Sequence, residues 1–153
     1  MNYSKALVES LESAQLLAGH FATDYLESWQ VLMALANNPY SVAGSALNEF
    51  PIEVDKLEEA ASDITGKEYQ KQGGFDLLPF SHRLEELFAQ AGQIAEAVHA
   101  RSLGTEHLLL AMLFDRGTLA ARVLEAAGFG YDDKSAAPRF SDLRKVLEQR
   151  AGW

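Results

Sequence analysis

The chain of 153 residues contains no cysteine, which excludes disulfides, thiolate catalysis and cysteine-ligated metals and fits a reducing compartment. Long apolar runs are also missing. The longest, Leu108 to Phe114, falls well short of the roughly 20 residues needed to span a bilayer. Behind Met1-Asn2-Tyr3-Ser4-Lys5 no apolar stretch follows a basic cluster, so no secretory signal is expected. Basic residues are scarce and scattered: 13 Lys and Arg stand against 22 Asp and Glu, for a formal charge of −9. Binding nucleic acid through its phosphates needs a basic face, and the composition does not supply one. An acidic surface keeps a protein soluble and favours cationic peptides. The expectation is a soluble cytoplasmic protein that engages neither nucleic acid nor a membrane.

Catalytic signatures are absent as well. No phosphate-cradling G-x-x-x-x-G-K-[ST] loop, H-E-x-x-H zinc helix or G-x-S-x-G elbow occurs. Glu96-Ala97-Val98-His99 matches one E-x-x-H unit, but a di-iron bundle needs two of them plus carboxylates from two further helices. His20, His82 and His107 share no ligand-like spacing and read as surface or capping residues. No metal, no cofactor and no enzymatic activity are expected of this chain.

What is present is an internal repeat. Shifted by 77 residues, Tyr3-Ser4 falls on Phe80-Ser81, Leu26 on Leu103, Ser28 on Thr105, and Val31–Ala34 on Leu108–Ala111. Val42-Ala43 falls on Leu119-Ala120, and Leu47 on Leu124. Preserved apolar spacing of this kind marks a tandem duplication. Leu7, Leu11, Ala14, Ala18 and Phe21 recur at helical spacing behind Ser4, and Leu84, Phe88, Ala91, Ala95 and Val98 repeat the stripe behind Ser81. Both serines are N-cap candidates.

Ser28 and Thr105 each open a second helix that is apolar most of the way round, which belongs at the centre of a fold. Trp29, at the start of the first of these, reads as a core residue. Third helices are predicted around Ser41–Glu49 and Thr118–Ala127. Pro51 suits a first helical turn and begins a fourth helix running to about Thr65. Residues 66–77, with Gly73-Gly74, form a polar linker. After Gly128 the copies diverge: a loop over 129–138 precedes a last helix restarted by Ser141 and Asp142. No strand-like alternation occurs, so the fold class is all-α. Its organisation is one domain, 1–153, of two pseudo-twofold four-helix repeats, about 3–65 and about 78–151. At this length two marginal halves are expected to share one core.

Gly104-Thr105-Glu106-His107-Leu108-Leu109-Leu110-Ala111-Met112-Leu113 resembles the signature of the Clp N-terminal repeat. Gly117-Thr118-Leu119-Ala120-Ala121-Arg122-Val123-Leu124, with Gly128 after it, is similar to the ClpC version. The first copy departs from the pattern, with Ser28-Trp29-Gln30 in place of Thr-Glu-His. The resemblance covers residues 3–150. It implies a mobile receptor domain that docks protein substrates or adaptor proteins for an unfoldase, with AAA+ modules beyond it if the chain is a fragment. The alternative is a free-standing adaptor not attached to an ATPase ring. Ring assembly is implied to reside in the ATPase modules, so the isolated domain is expected to be monomeric.

Some ClpC-type members recognise phosphoarginine. A phosphoryl group suits a helix N-terminus, where free N–H groups and the dipole favour an anion. A carboxylate suits the guanidinium. The resemblance implies such a site in the second repeat, at Ser81, Thr105 and Glu106, and a degenerate one in the first, at Ser4, Glu27 and Ser28. Trp29 holds the first repeat's Glu position. The residues themselves allow another reading: Ser4, Ser81 and Thr105 as caps, and Glu106 as a first-turn charge that complements the dipole.

Overall fold

The computed structural model describes residues 1–74, 76–130 and 138–153. Among these, every regular element is a helix. The first set comprises α1 (Lys5–Gly19), α2 (Ser28–Ala36), α3 (Val42–Leu47) and α4 (Val54–Thr65). The second comprises α5 (His82–Ala97), α6 (Thr105–Phe114), α7 (Leu119–Ala126) and α8 (Phe140–Ala151). The 77-residue shift carries the starts of α1, α2 and α3 onto those of α5, α6 and α7. It then fails, because position 54 plus 77 is 131 while α8 begins at 140. Most of the expected loop between α7 and α8, positions 131–137, lies outside the described residues, as does Phe75 in the linker.

Each set begins at its serine. Ser4 Oγ accepts the Leu7 N–H at 3.2 Å, and Ser81 Oγ accepts the Leu84 N–H at 3.1 Å, satisfying one orphan donor in each first turn. The α2 helix is buried along its whole length and α6 nearly so, which places the two most apolar helices at the centre. Fully burying a leucine such as Leu32 or Leu108 stabilises the fold by about 1.5–3 kcal/mol. Trp29 sits in this core at 1% exposure, edge-on to Phe21 at 4.9 Å. One expectation fails locally. Pro51 lies outside α4, which begins at Val54 with Glu53 as its cap residue.

The two sets interlock about a pseudo-twofold axis. The Ser4 N–H donates to Leu103 C=O at 2.8 Å, and its counterpart Ser81 N–H donates to Leu26 C=O at 2.9 Å. The Leu103 N–H returns to Asn2 C=O and the Leu26 N–H to Pro79 C=O. Farther in, α4 packs against α7 and α8 against α3, so each fourth helix closes the opposite repeat.

The hydroxyls of Ser28 and Thr105 complete the exchange. Neither caps its own helix, because Glu27 and Gly104 hold those cap positions. Instead Ser28 Oγ accepts the Ala120 N–H of α7 at 3.0 Å, and Thr105 Oγ1 accepts the Ala43 N–H of α3 at 3.2 Å. Both are buried. The symmetry extends to backbone strain: Ala22 and His99, also 77 apart, are the two non-glycine residues with positive φ among those described, at 50° and 56°.

Candidate functional site

The crossed architecture regroups the residues singled out in the sequence. In an α-helical hairpin the start of the first helix lies beside the end of the second. Arg83, two residues past Ser81, accordingly reaches Asp115 at the C-terminal end of α6, 3.9 Å away. Glu106 occupies the other end of α6, and that helix of 10 residues is about 15 Å long. Ser81 therefore does not join Thr105 and Glu106. The residue brought beside them is Ser4, whose amide bonds to Leu103, the neighbour of Gly104. Ser81 is instead beside Leu26 and hence Glu27 and Ser28.

Around Glu106 the chain is tightly folded. Its carboxylate curls back over Gly104, where the absence of a Cβ leaves room for it, and a larger residue there would push the carboxylate aside. The side chain is 18% exposed, and burial raises its pKa, partly offset by its own backbone N–H. His107 is buried with Nδ1 accepting the Gly104 N–H at 2.8 Å, which places the ring proton on Nε2. Glu106 Oε1 lies 3.4 Å from the same Nδ1, but a nitrogen already accepting a hydrogen bond cannot also donate. The contact is not an ion pair. Burial lowers the His107 pKa and agrees with a neutral ring. Trp153 stacks on that ring at 5.6 Å.

Glu106 is thus a sheltered carboxylate with no Lys or Arg partner among the described residues, three residues along from Leu103, which accepts the Ser4 N–H just before α1. The Thr105 hydroxyl accepts from the Ala43 N–H, which holds its oxygen toward α3. In the first repeat Trp29 fills the Glu position from within the core, Ser28 caps α7, and Glu27 is the cap residue of α2, half-exposed. Gln30, at the position of His107, repeats its cap: Oε1 accepts the Glu27 N–H at 2.8 Å. Of the first-repeat residues, Glu27 alone offers a carboxylate.

A larger feature was not foreseen from sequence. A groove of about 480 Å³ runs along α1, with Tyr3, Val8, Leu11, Glu12, Gln15 and Leu16 on one side and Gly74, Asp76, Leu77 and Phe80 on the other. Leu16 is 65% exposed and Leu77 82% exposed. Its charged members, Glu12 and Asp76, are both acidic. The exposed Val8 and Leu16 outside the buried α1 stripe were the available signal. Among the described residues, no group of His, Cys, Asp and Glu is placed to hold a metal ion, and no helix is long and apolar enough to cross a membrane.

Comparison with known proteins agrees with this architecture. The chain is 27% identical over 112 residues to the ATP-binding subunit ClpC of the ATP-dependent Clp protease from Staphylococcus saprophyticus, covering 73% of this chain and 13% of that protein. It therefore spans about an eighth of the length of such relatives. The N-terminal domain of the chaperone ClpD from Arabidopsis thaliana superposes with a TM-score of 0.72 at 18% identity, covering 98% of this chain and 97% of that one. A ClpV N-domain solved in complex with a VipB peptide gives a TM-score of 0.64 at 18% identity, covering 99% and 94%. What matches is an N-terminal domain and not an ATPase module. The model of the Clp repeat (R) N-terminal domain matches residues 2–127, and the chain belongs to that family.

Proposed function

We propose that this domain docks protein ligands, adaptors or segments of substrates, on behalf of a Clp ATPase. The groove along α1 carries the reading. Leucines exposed as fully as Leu16 and Leu77 are unusual when they face one another across a concave surface, and such apolar patches mark interaction sites. Acidic side chains at Glu12 and Asp76 select the occupant by charge. It is an amphipathic helical segment with an apolar face and basic edges. The neighbouring ClpV N-domain with its peptide and the ClpC relatives support a peptide-docking role.

Calorimetric titration with a short helical peptide, leucines on one face and lysines on the other, tests this. Saturable binding is expected, and Leu16→Glu with Leu77→Glu should weaken it by roughly tenfold or more. Equal affinity for a peptide bearing glutamates in place of lysines would remove the charge argument. Unchanged affinity in the double variant would remove the groove.

A second reading concerns phosphoarginine, and the observation favouring it is the sheltered Glu106 beside the start of α1. In this reading Glu106 pairs with the guanidinium while the first turn of α1, opened by Ser4, faces the phosphoryl group. The site combines both repeats, in place of the separate sites Ser81, Thr105, Glu106 and Ser4, Glu27, Ser28. Glu106→Ala should reduce phosphoarginine affinity by roughly tenfold or more while the fold is retained. An affinity that does not change, or one lost equally in Ser81→Ala, rules out this grouping.

A further inference from the structure

We infer that Gln15 is the positioning residue that seats the inter-repeat linker as the second wall of the α1 groove, so that docking is confined to one side of a pseudo-symmetric domain. The docking half of this inference rests on the reading above; the seat itself does not. Gln15 Nε2 donates to Leu78 C=O at 2.9 Å, and the Leu78 N–H donates to Gln15 Oε1 at 2.9 Å. One side-chain amide thereby satisfies both backbone groups of Leu78, the residue that ends the linker, as a neighbouring strand would. In an extended segment successive side chains point to opposite sides. With Leu78 held this way its side chain packs against the core, and Leu77 is turned outward into the groove. A slip of one residue would exchange them.

Upstream, the linker is tied to the end of α1 by Gly74 N–H to Gly19 C=O at 2.9 Å and Gln70 N–H to His20 C=O at 2.8 Å. Downstream it is tied by the Leu26 N–H to Pro79 C=O. Gln15 is the clamp adjoining Leu77, the groove's most exposed apolar residue. The second repeat shows what its absence means. Its equivalent position is Gly92, which has no side-chain amide and where an added Cβ would meet nothing within 4 Å. Val8 and Leu16 correspond there to Glu85 and Gln93. The clamp and the two exposed apolar side chains are lost together, and the separate hollow of about 440 Å³ that Gln93 lines lies between α5 and α6, with Ile94 and Phe114.

The test uses the intact domain. In Gln15→Leu, helical content should stay at the native level while amide hydrogen exchange at Leu78 accelerates by roughly tenfold, the α5 amides remaining protected. The leucine–lysine peptide should then bind roughly tenfold more weakly, whereas Gln15→Glu, which keeps the bond to the Leu78 N–H, should lose less. Gly92→Gln should leave both readouts and the one-to-one stoichiometry unchanged. Native exchange at Leu78 in Gln15→Leu would overturn the seat. Faster exchange with undiminished peptide binding would overturn its role in docking. If the native domain fails to bind the peptide at all, the docking reading and its one-sidedness fall together, and the exchange result alone decides the seat.

Discussion

At one position the two repeats share a backbone frame and nothing else. Trp29 and Glu106 both occupy the first turn of a central helix, 77 residues apart, yet one is an aromatic plug against Phe21 and the other a carboxylate folded over Gly104. Next to them Gln30 and His107 perform the same cap with different nitrogen and oxygen chemistry. Farther along, Gln15 clamps Leu78 where Gly92 has no side chain to do so. The duplicated scaffold holds the positions that both halves use as caps and has let others diverge. The first repeat offers a groove, the second a carboxylate.

The largest effect should come from forcing the first repeat to resemble the second. Trp29→Glu removes a buried indole and puts an unpaired charge in its place, at a cost of at least about 3–5 kcal/mol. Chemical denaturation should show a domain largely unfolded before denaturant is added. A folded variant with a working second carboxylate site would show the two positions to be interchangeable after all. The crossed caps should be intermediate. Ser28→Ala and Thr105→Val each strand a buried N–H in the opposite repeat and should cost about 1–2 kcal/mol apiece. Matching losses in denaturation midpoint support the symmetry, and a loss at only one position breaks it.

The smallest effect concerns pH. Burial depresses the folded pKa of His107, so its contribution to stability is present above the unfolded value of about 6.5 and is lost as pH falls through the folded value. His107→Gln copies Gln30, keeps an acceptor for the Gly104 N–H and does not titrate. Its thermal midpoint should therefore fall less than the native one as pH drops below about 6.5. Parallel pH profiles would mean that His107 is not the group responsible.

Much of this arrangement was legible in local pattern. The apolar stripe behind Ser4 and Ser81 located α1 and α5 with their caps, and the offset located the next two helices of each set. The start of α4 was misread because proline suits the approach to a helix as well as its first turn. Spacing could not disclose that Ser28 and Thr105 cap helices more than sixty residues away, because a hydroxyl before an apolar run looks the same whichever helix it serves. The same crossing bonds Ser4, not Ser81, to Leu103 at the approach to α6. The groove escaped notice because half of it belongs to a linker whose polarity and glycines signal only an irregular segment.

The exchanged hydroxyls bear on ancestry. A solitary half-length precursor would carry both the hydroxyl and the amide awaiting one, yet its own geometry would keep them apart. A second, twofold-related molecule would bring them together, which is the geometry of an isologous homodimer. With both halves in one chain that encounter is intramolecular, at high effective concentration, and the exchanged bonds no longer require the two faces to be alike.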